Sequence, residues 1–366
     1  MKIGLMLRTI EEKQGIGIYT RNLVEELLQQ DSENEYVLFY RSPDFMGTFS
    51  HFPRVTERCL PAGNKLVWDQ IKIPLAARKE KIDLLFHTKF TVPFLTRIPC
   101  VMSIHGASWF VHPELYAKAD VVYIKTVMPL YCRKAAYIVS NSDLTTNDYK
   151  RILKVPDNKI RTIRLGRNER FKPVTDPDQL AQARITYRLP EKFIFSVVKY
   201  DPRKNFENLI KGFQLLRQKT DCKLVVAGIG CEKYREEYQL DKDGTADDVT
   251  FLGWVEQEDL PAIYSLAHCM LFPSVYEEFG IPTCEAMACG CPPVVSRTGA
   301  LPEISGEAGT LVDPFDPEDI ADKLYQIWTD EPFRKAKIEK SLQQAEHFTW
   351  KRCAGETLEV LRQFQD

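Results

Sequence analysis

Two glutamates, Glu277 and Glu285, bracket the turn Phe279-Gly280-Ile281-Pro282 inside the stretch PSVYEEFGIPTCEAMACGCPPVVSRTGALPE. Ionised carboxylates accept hydrogen bonds from neighbouring hydroxyls, so the ligand groups that suit them are ribose and hexose rings. The turn between them offers the opposite polarity. Pro282 fits the first turn of a helix, where its missing N–H is no loss, and Gly290 fits the C-terminal stop of that helix. A helix start preceded by glycine presents backbone N–H groups and a partial positive charge, which suit a phosphate. Phosphate flanked by sugars describes a nucleotide sugar. Either glutamate taken singly also fits a solvated helix position or a partner of the helix dipole, and only the combination points to a ligand.

Other side chains extend this chemistry. Lys199, Arg203 and Lys204 lie within six residues at a strand-to-helix turn, where they make either a surface cluster or a phosphate grip, and Asn205 can cap the helix that follows. His105-Gly106 ends the apolar run at residues 99–104, the place where open α/β sheets bind ligands. Gly15-Ile16-Gly17 opens a helix patterned through Leu23, Val24, Leu27 and Leu28, and Gly228-Ile229-Gly230 follows a second apolar run. Either glycine pair alone also reads as a tight connection. Asp241-Lys242-Asp243 has the spacing of a metal-binding pair, but it sits in the polar stretch EYQLDKDGTADD and reads as a solvated loop.

Positioning these residues takes a regular series of elements. Strands are expected near residues 2–7, 36–40, 55–60, 82–86, 99–104, 137–140 and 160–165, then near 193–198, 223–227, 249–252, 270–272 and 293–296. Helices are expected between them, including one over 66–79, with three more over 317–328, 332–345 and 349–364. Such alternation implies parallel sheets with crossover helices. The Pro-rich, polar stretch at 171–190 reads as a linker, giving domains at 1–170 and 171–348.

The string E-x7-E with F-G-I-P inside it, followed by EAMA-x-G-x-P, closely resembles the donor-site signature of the retaining glycosyltransferases of family 4. Gly15, Gly17, Tyr19, Arg21 and Asn22 are similar to that family's N-terminal loop, and Lys199, Lys204 and Asn205 to its G-[RK]…K-N element. The resemblance implies the GT-B fold: two Rossmann-like domains facing across a cleft, with the last helix, within 349–366, returning to the first. It implies an acceptor-side first domain and a donor-side second domain. Glu277 and His105 are then implied beside the transferred sugar, Glu285 on the ribose, and Lys199 and Lys204 on the diphosphate. Gly15, Gly17, Gly228, Phe279, Gly280 and Ile281 are implied near the donor, with Val255 in the loop that meets the base. The loop from Thr298 to Glu303 resembles the one that closes over the donor. The chain departs from the pattern at Gln14, where a glycine is common, at Gly106, where Asp is common, and at Cys291-Pro292-Pro293.

The activity so implied moves a hexose with retention from a UDP- or GDP-sugar, GDP-mannose among them, to a glycan or lipid-linked saccharide in cell-surface polysaccharide synthesis. Lys199 and Lys204 offset the charge of the leaving diphosphate, so no metal or cofactor is expected. A nucleotide-sugar epimerase or hydrolase and a non-catalytic binding protein are the alternatives. Composition is compatible with each. The chain has 366 residues, 44% hydrophobic and 27% charged, with a formal charge of -2 that argues against a nucleic-acid partner. Ten scattered cysteines, lacking paired C-x2-C spacing, read as buried thiols of a reducing compartment. The first apolar run is too short for a signal peptide, so the expected location is the cytoplasm, with the inner membrane face as a further option. Residues 63–81, with Trp68, Ile71 and Ile73, read either as a peripheral membrane contact or as an ordinary amphipathic helix.

Overall fold

The computed structural model describes residues 1–12, 15–242 and 244–365, so Gln14 and Asp243 lie outside the described residues. The chain divides into two compact units, Met1–Gly166 with Thr349–Asp366, and Arg167–Phe348. Residues 167–170 thus side with the second unit.

The first unit is built on seven parallel strands: β1 (Lys2–Met6), β2 (Glu35–Tyr40), β3 (Val55–Cys59), β4 (Leu84–His87), β5 (Cys100–Ile104), β6 (Tyr137–Ser140) and β7 (Ile160–Thr162). Their order is β3-β2-β1-β4-β5-β6-β7. Every residue of β4 and of β5 is buried, as continuous apolar runs covered by helices on both faces require. Met6, Phe39, Leu85, Met102 and Ile138 join the core on one side of the sheet. Helix Ile16–Gln30 buries Leu23, Val24, Leu27 and Leu28, the set its sequence spacing predicts. The C-terminal helix Trp350–Arg362 returns to this unit and packs along helix Ile16–Gln30, with Gln30 Nε2 donating to Lys351 O at 3.0 Å.

The second unit has six parallel strands: β8 (Ile194–Val197), β9 (Leu224–Ala227), β10 (Val249–Gly253), β11 (Cys269–Phe272), β12 (Pro293–Ser296) and β13 (Thr310–Val312). They run in the order β10-β9-β8-β11-β12-β13. Helices Phe206–Arg217 and Pro317–Thr329 pack together on one face through Phe213, Ile320 and Leu324. In each unit the strand order reverses beside the first strand, between β1 and β4 and between β8 and β11. At such a switch point the connections leave the sheet in opposite directions and open a crevice at the carboxyl ends.

The stretch 171–190 is not a linker. Asp176 accepts from the Asp178 N–H at 3.0 Å, Pro177 takes the first helical position, and a helix runs over Pro177–Tyr187. The helix expected over 66–79 is interrupted by a π-turn at Trp68–Lys72. Trp68 and Ile73 are core residues, whereas Leu66, Val67, Ile71 and Leu75 are exposed, Leu75 to 64%. Among the described residues no helix is long and apolar enough to cross a membrane.

Candidate active site

The reversal between β8 and β11 brings Lys204 and Glu277 together in the second unit. Lys204 follows β8 in a short 3-10 turn, Pro202–Lys204, and Glu277 follows β11. Lys204 Nζ donates to Glu277 Oε1 at 2.6 Å, and it lies 4.7 Å from the centroid of the Phe272 ring. Both side chains are largely enclosed, at 18% and 14% exposure. Such enclosure strengthens the attraction and keeps the cation in place through its ring contact as well as its carboxylate.

The backbone around this pair is tied by contacts across the loops. Val275 N–H donates to Arg203 O at 2.9 Å, joining the two segments that carry Lys204 and Glu277. Ala300 N–H donates to Glu277 O at 2.9 Å. Gly299 has φ +67, and a Cβ there would sit 2.8 Å from both the N and the O of Glu277, so only glycine permits this approach. Asn205 does not cap its helix through its side chain. It sits in the left-handed region at φ 56, and its amide donates to Pro273 O at 2.9 Å and Pro314 O at 2.6 Å. It is thus a tether between the ends of β11 and β13, next in sequence to Lys204.

Arg203 grips Asp201 with Nε at 3.2 Å and Nη2 at 2.8 Å. Burial works to raise the Asp201 carboxyl, yet its hydrogen bonds with Arg203 hold it below its ordinary value. Lys199, at the start of the same connection, is exposed. A Cβ on Gly228 would come within 2.3 Å of Val198 O and 3.0 Å of Lys199 N, so the glycine after β9 lets that loop lie against the peptide leading into Lys199. Gly228 N–H donates to Gly253 O at 2.7 Å, which joins the β10 loop; there the Val255 side chain is buried and Trp254 is exposed.

Gly280, at φ 98, precedes helix Ile281–Ala288. The helix start offers fewer donors than its sequence suggests: Pro282 has none, and Thr283 N–H already bonds Gly280 O at 2.9 Å, leaving the Ile281 N–H as the forward donor. Phe279 is buried edge-to-face against Phe348, with centroids 5.8 Å apart. Glu285 is only 8% exposed, and burial pushes its carboxyl up to about 8, with Arg170 pulling weakly downward. It is therefore mainly neutral at pH 7.

The remaining candidates, Gly15, Gly17 and His105, belong to the first unit. A Cβ on Gly17 would sit 1.7 Å from Glu12 O, so the residue admits a close fold-back of the loop onto the helix, and Arg21 fixes it by donating to Ile10 O and Glu12 O. His105 Nε2 lies 2.8 Å from Thr88 O and must be its donor, which leaves Nδ1 as an acceptor. Burial lowers the imidazole to about 4, so it is neutral. Tyr19 packs edge-on against it at 4.6 Å and hydrogen-bonds Ser103 at 2.8 Å. Beneath lies a buried triad not foreseen from sequence: Thr9, Thr20 and Thr88 share hydroxyl contacts of 2.9 to 3.1 Å. Among the described residues no three His, Cys, Asp or Glu side chains group as metal ligands, and Asp241 is engaged by Arg235 at 2.6 Å.

Residues 13–170 match the family described as Glycosyltransferase Family 4, and residues 180–344 match Glycosyl transferases group 1. The O-antigen chain mannosyltransferase B of Escherichia coli is 30% identical over 292 residues, covering 78% of this chain and 76% of that protein. The chain belongs to glycosyltransferase family 4. The family 4 chain also matches solved GT-B structures. A sucrose-phosphate synthase from Thermosynechococcus elongatus superposes with a TM-score of 0.79 at 23% identity, covering 99% of this chain and 98% of that one. Anabaena HepE, solved in complex with UDP and glucose, gives 0.78 at 18% identity, covering 99% and 100%. Together with the two parallel-sheet units, these likenesses make the fold GT-B. The chain is thus a glycosyltransferase related to mannosyltransferases.

Proposed function

We propose that this glycosyltransferase moves a hexose from a nucleoside-diphosphate sugar to a saccharide or lipid-linked saccharide, with retention at the anomeric carbon and without a metal. The observation that carries this reading is the enclosed Lys204–Glu277 pair at the switch point, in the segment that leads into helix Ile281–Ala288. A diphosphate leaving group gains negative charge as the glycosidic bond breaks, and a fixed ammonium with backbone donors stabilises that charge. Lys204 and Lys199 take this role. Glu277 orients sugar hydroxyls, Glu285 meets the ribose, and His105 contacts the sugar. Gly15, Gly17, Gly228, Val255, Phe279, Gly280 and Ile281 serve the donor chiefly through backbone. The acceptor hydroxyl oxygen bonds the anomeric carbon, the bond to the diphosphate breaks, and the hydroxyl proton passes to the departing phosphate oxygen.

Relatives named as mannosyltransferases favour mannose, and hence GDP-mannose among the donors, in a surface polysaccharide pathway. The chain then works in the cytoplasm, touching the inner membrane face through the exposed Leu66, Val67, Ile71 and Leu75, flanked by Lys65, Lys72, Arg78 and Lys79.

A thermal-shift panel with GDP, UDP and ADP, with and without chelator, tests the donor reading, because a ligand of the folded state raises the melting temperature. A chelator-insensitive shift with GDP or UDP is the expected result. No shift with any of them sinks it. Released sugar without acceptor-linked sugar favours the hydrolase or epimerase alternative, and binding without either product favours a non-catalytic protein.

A further inference from the structure

We propose that Thr9, Thr20 and Thr88 are positioning residues for the transfer: their buried hydroxyls fix the Thr88 carbonyl, which in turn holds His105 as a hydrogen-bond acceptor for a hydroxyl of the bound sugar. This rests on the hexosyl-transfer reading, which sets His105 at the sugar, and adds the residues that keep its imidazole oriented there.

Three separate segments meet at these hydroxyls. Thr9 lies in the loop after β1, Thr20 in helix Ile16–Gln30, and Thr88 directly after β4. All three side chains are fully buried. Thr20 Oγ1 lies 2.9 Å from both Thr9 Oγ1 and Thr88 Oγ1, the latter two are 3.1 Å apart, and Thr20 also donates to Ile16 O at 2.8 Å. A hydroxyl both donates and accepts, so the ring satisfies itself without water and resists the turning of any one member.

That resistance acts at the Thr88 peptide. Pairing of β4 with β1 and with β5 ends at His87, so the sheet does not set the direction of the next carbonyl, and the hydroxyls do. Thr88 O takes the Nε2 proton of His105 at 2.8 Å, a bond that a turn of this peptide would break. Tyr19, the neighbour of Thr20 in sequence, packs edge-on against the imidazole at 4.6 Å, with its hydroxyl 2.8 Å from that of Ser103. Helix Ile16–Gln30 therefore steadies both the carbonyl and the ring that it holds. With the proton kept on Nε2, Nδ1 presents a lone pair and no donor, so it suits the O–H of a sugar and not a phosphate oxygen.

Nitrogen-15 NMR of the full chain labelled at histidine tests this, because long-range proton–nitrogen correlations show which ring nitrogen carries the proton; the spectrum of His105→Ala assigns the signal. Turnover is followed as nucleotide released from GDP-mannose and from UDP-glucose, with methyl α-D-mannopyranoside as acceptor. The wild type is expected to carry the proton on Nε2. Thr20→Val keeps the branched shape and removes the hydroxyl. It is expected to mix the two tautomers and to lower kcat about tenfold, with the donor KM changed by no more than about twofold, and Thr20→Ser to restore both. In a His105→Ala background, Thr20→Val is expected to add no further loss. Thr9→Val is read for the same pattern, and decides alone if Thr20→Val does not fold. A wild-type proton on Nδ1, an unmixed tautomer in the folded valine variants, or an undiminished further loss in the His105→Ala background overturns the positioning role. Mixed tautomers beside full turnover in His105→Ala count against His105 at the sugar. No release from either donor counts against the transfer reading, and the tautomers then decide whether the hydroxyls hold the ring.

Discussion

Lys204 and Glu277 are the side chains whose loss should be felt most directly in turnover. In the proposed function Lys204 is the cation that meets the leaving diphosphate, so Lys204→Ala, which also takes away the partner of Glu277, should lower kcat by about 10²–10³, the scale of losing one oxyanion donor. Steady-state assays beside the nucleotide shift check this, and unchanged turnover would remove Lys204 from the diphosphate. Glu285 gives a pH signature instead. Its folded carboxyl titrates near 8 against an ordinary 4.5, so between those values the folded chain keeps a proton that the unfolded chain has released. Stability from this group is full below about 4.5 and falls as pH rises towards about 8. Glu285→Gln lacks that slope, and its melting temperature should gain on the wild type across the same interval; parallel melting curves over this range would contradict the burial effect. The spacing of both glutamates and of Lys204 is legible in the sequence because each lies in a short contiguous string. The tether at Asn205 is not: its partners are 68 and 109 residues away, and only folding tells a local cap from a distant carbonyl.

The elements themselves were legible wherever an apolar run was continuous. β5 and β12 fall within a residue of their expected bounds. β13, three residues long and with Leu311 exposed, gives no such run and was not foreseen. Helix Pro177–Tyr187 was hidden by its own start signals, since Asp176 and Pro177 serve a turn as readily as a helix and only Ala183 within it is buried. The interrupted helical segment at 65–79 bears on the membrane proposal. Gln70 accepts from Phe94 N–H at 2.9 Å and donates to Val92 O at 3.1 Å, which ties the loop holding exposed Phe94 and Leu95 to the same segment. The double substitution Ile71→Glu and Leu75→Glu changes exposed positions only and should shift stability by no more than about 0.5 kcal/mol. It should abolish co-sedimentation with vesicles containing anionic lipid; wild-type protein that fails to sediment removes the proposal.

At the scale of the whole chain, the first unit is discontinuous in sequence and the second is not. The C-terminal helix completes the first unit through Trp350, 6.2 Å from Tyr19, and through Arg161 with Glu359 at 2.9 Å. Removal of residues 349–366 should therefore cost the first unit its cooperative melting while the second retains its own, as hydrogen exchange resolved by segment will report; protection kept throughout the first unit would show the helix to be dispensable. The family resemblance spans both sheets, whereas the contact between Phe90 and Trp109 is not legible in the sequence, because the two rings become neighbours only when β4 and β5 pair. The discontinuity also sets an order of events on the ribosome. The second unit can close as soon as Phe348 has cleared the tunnel, whereas the first must wait for its final helix. At ~5–20 residues per second that wait lasts roughly 10–40 s after Gly166 is made. Throughout it, the face of helix Ile16–Gln30 that Trp350–Arg362 will cover is bare, so the half-made first unit is the nascent-chain species most in need of a chaperone.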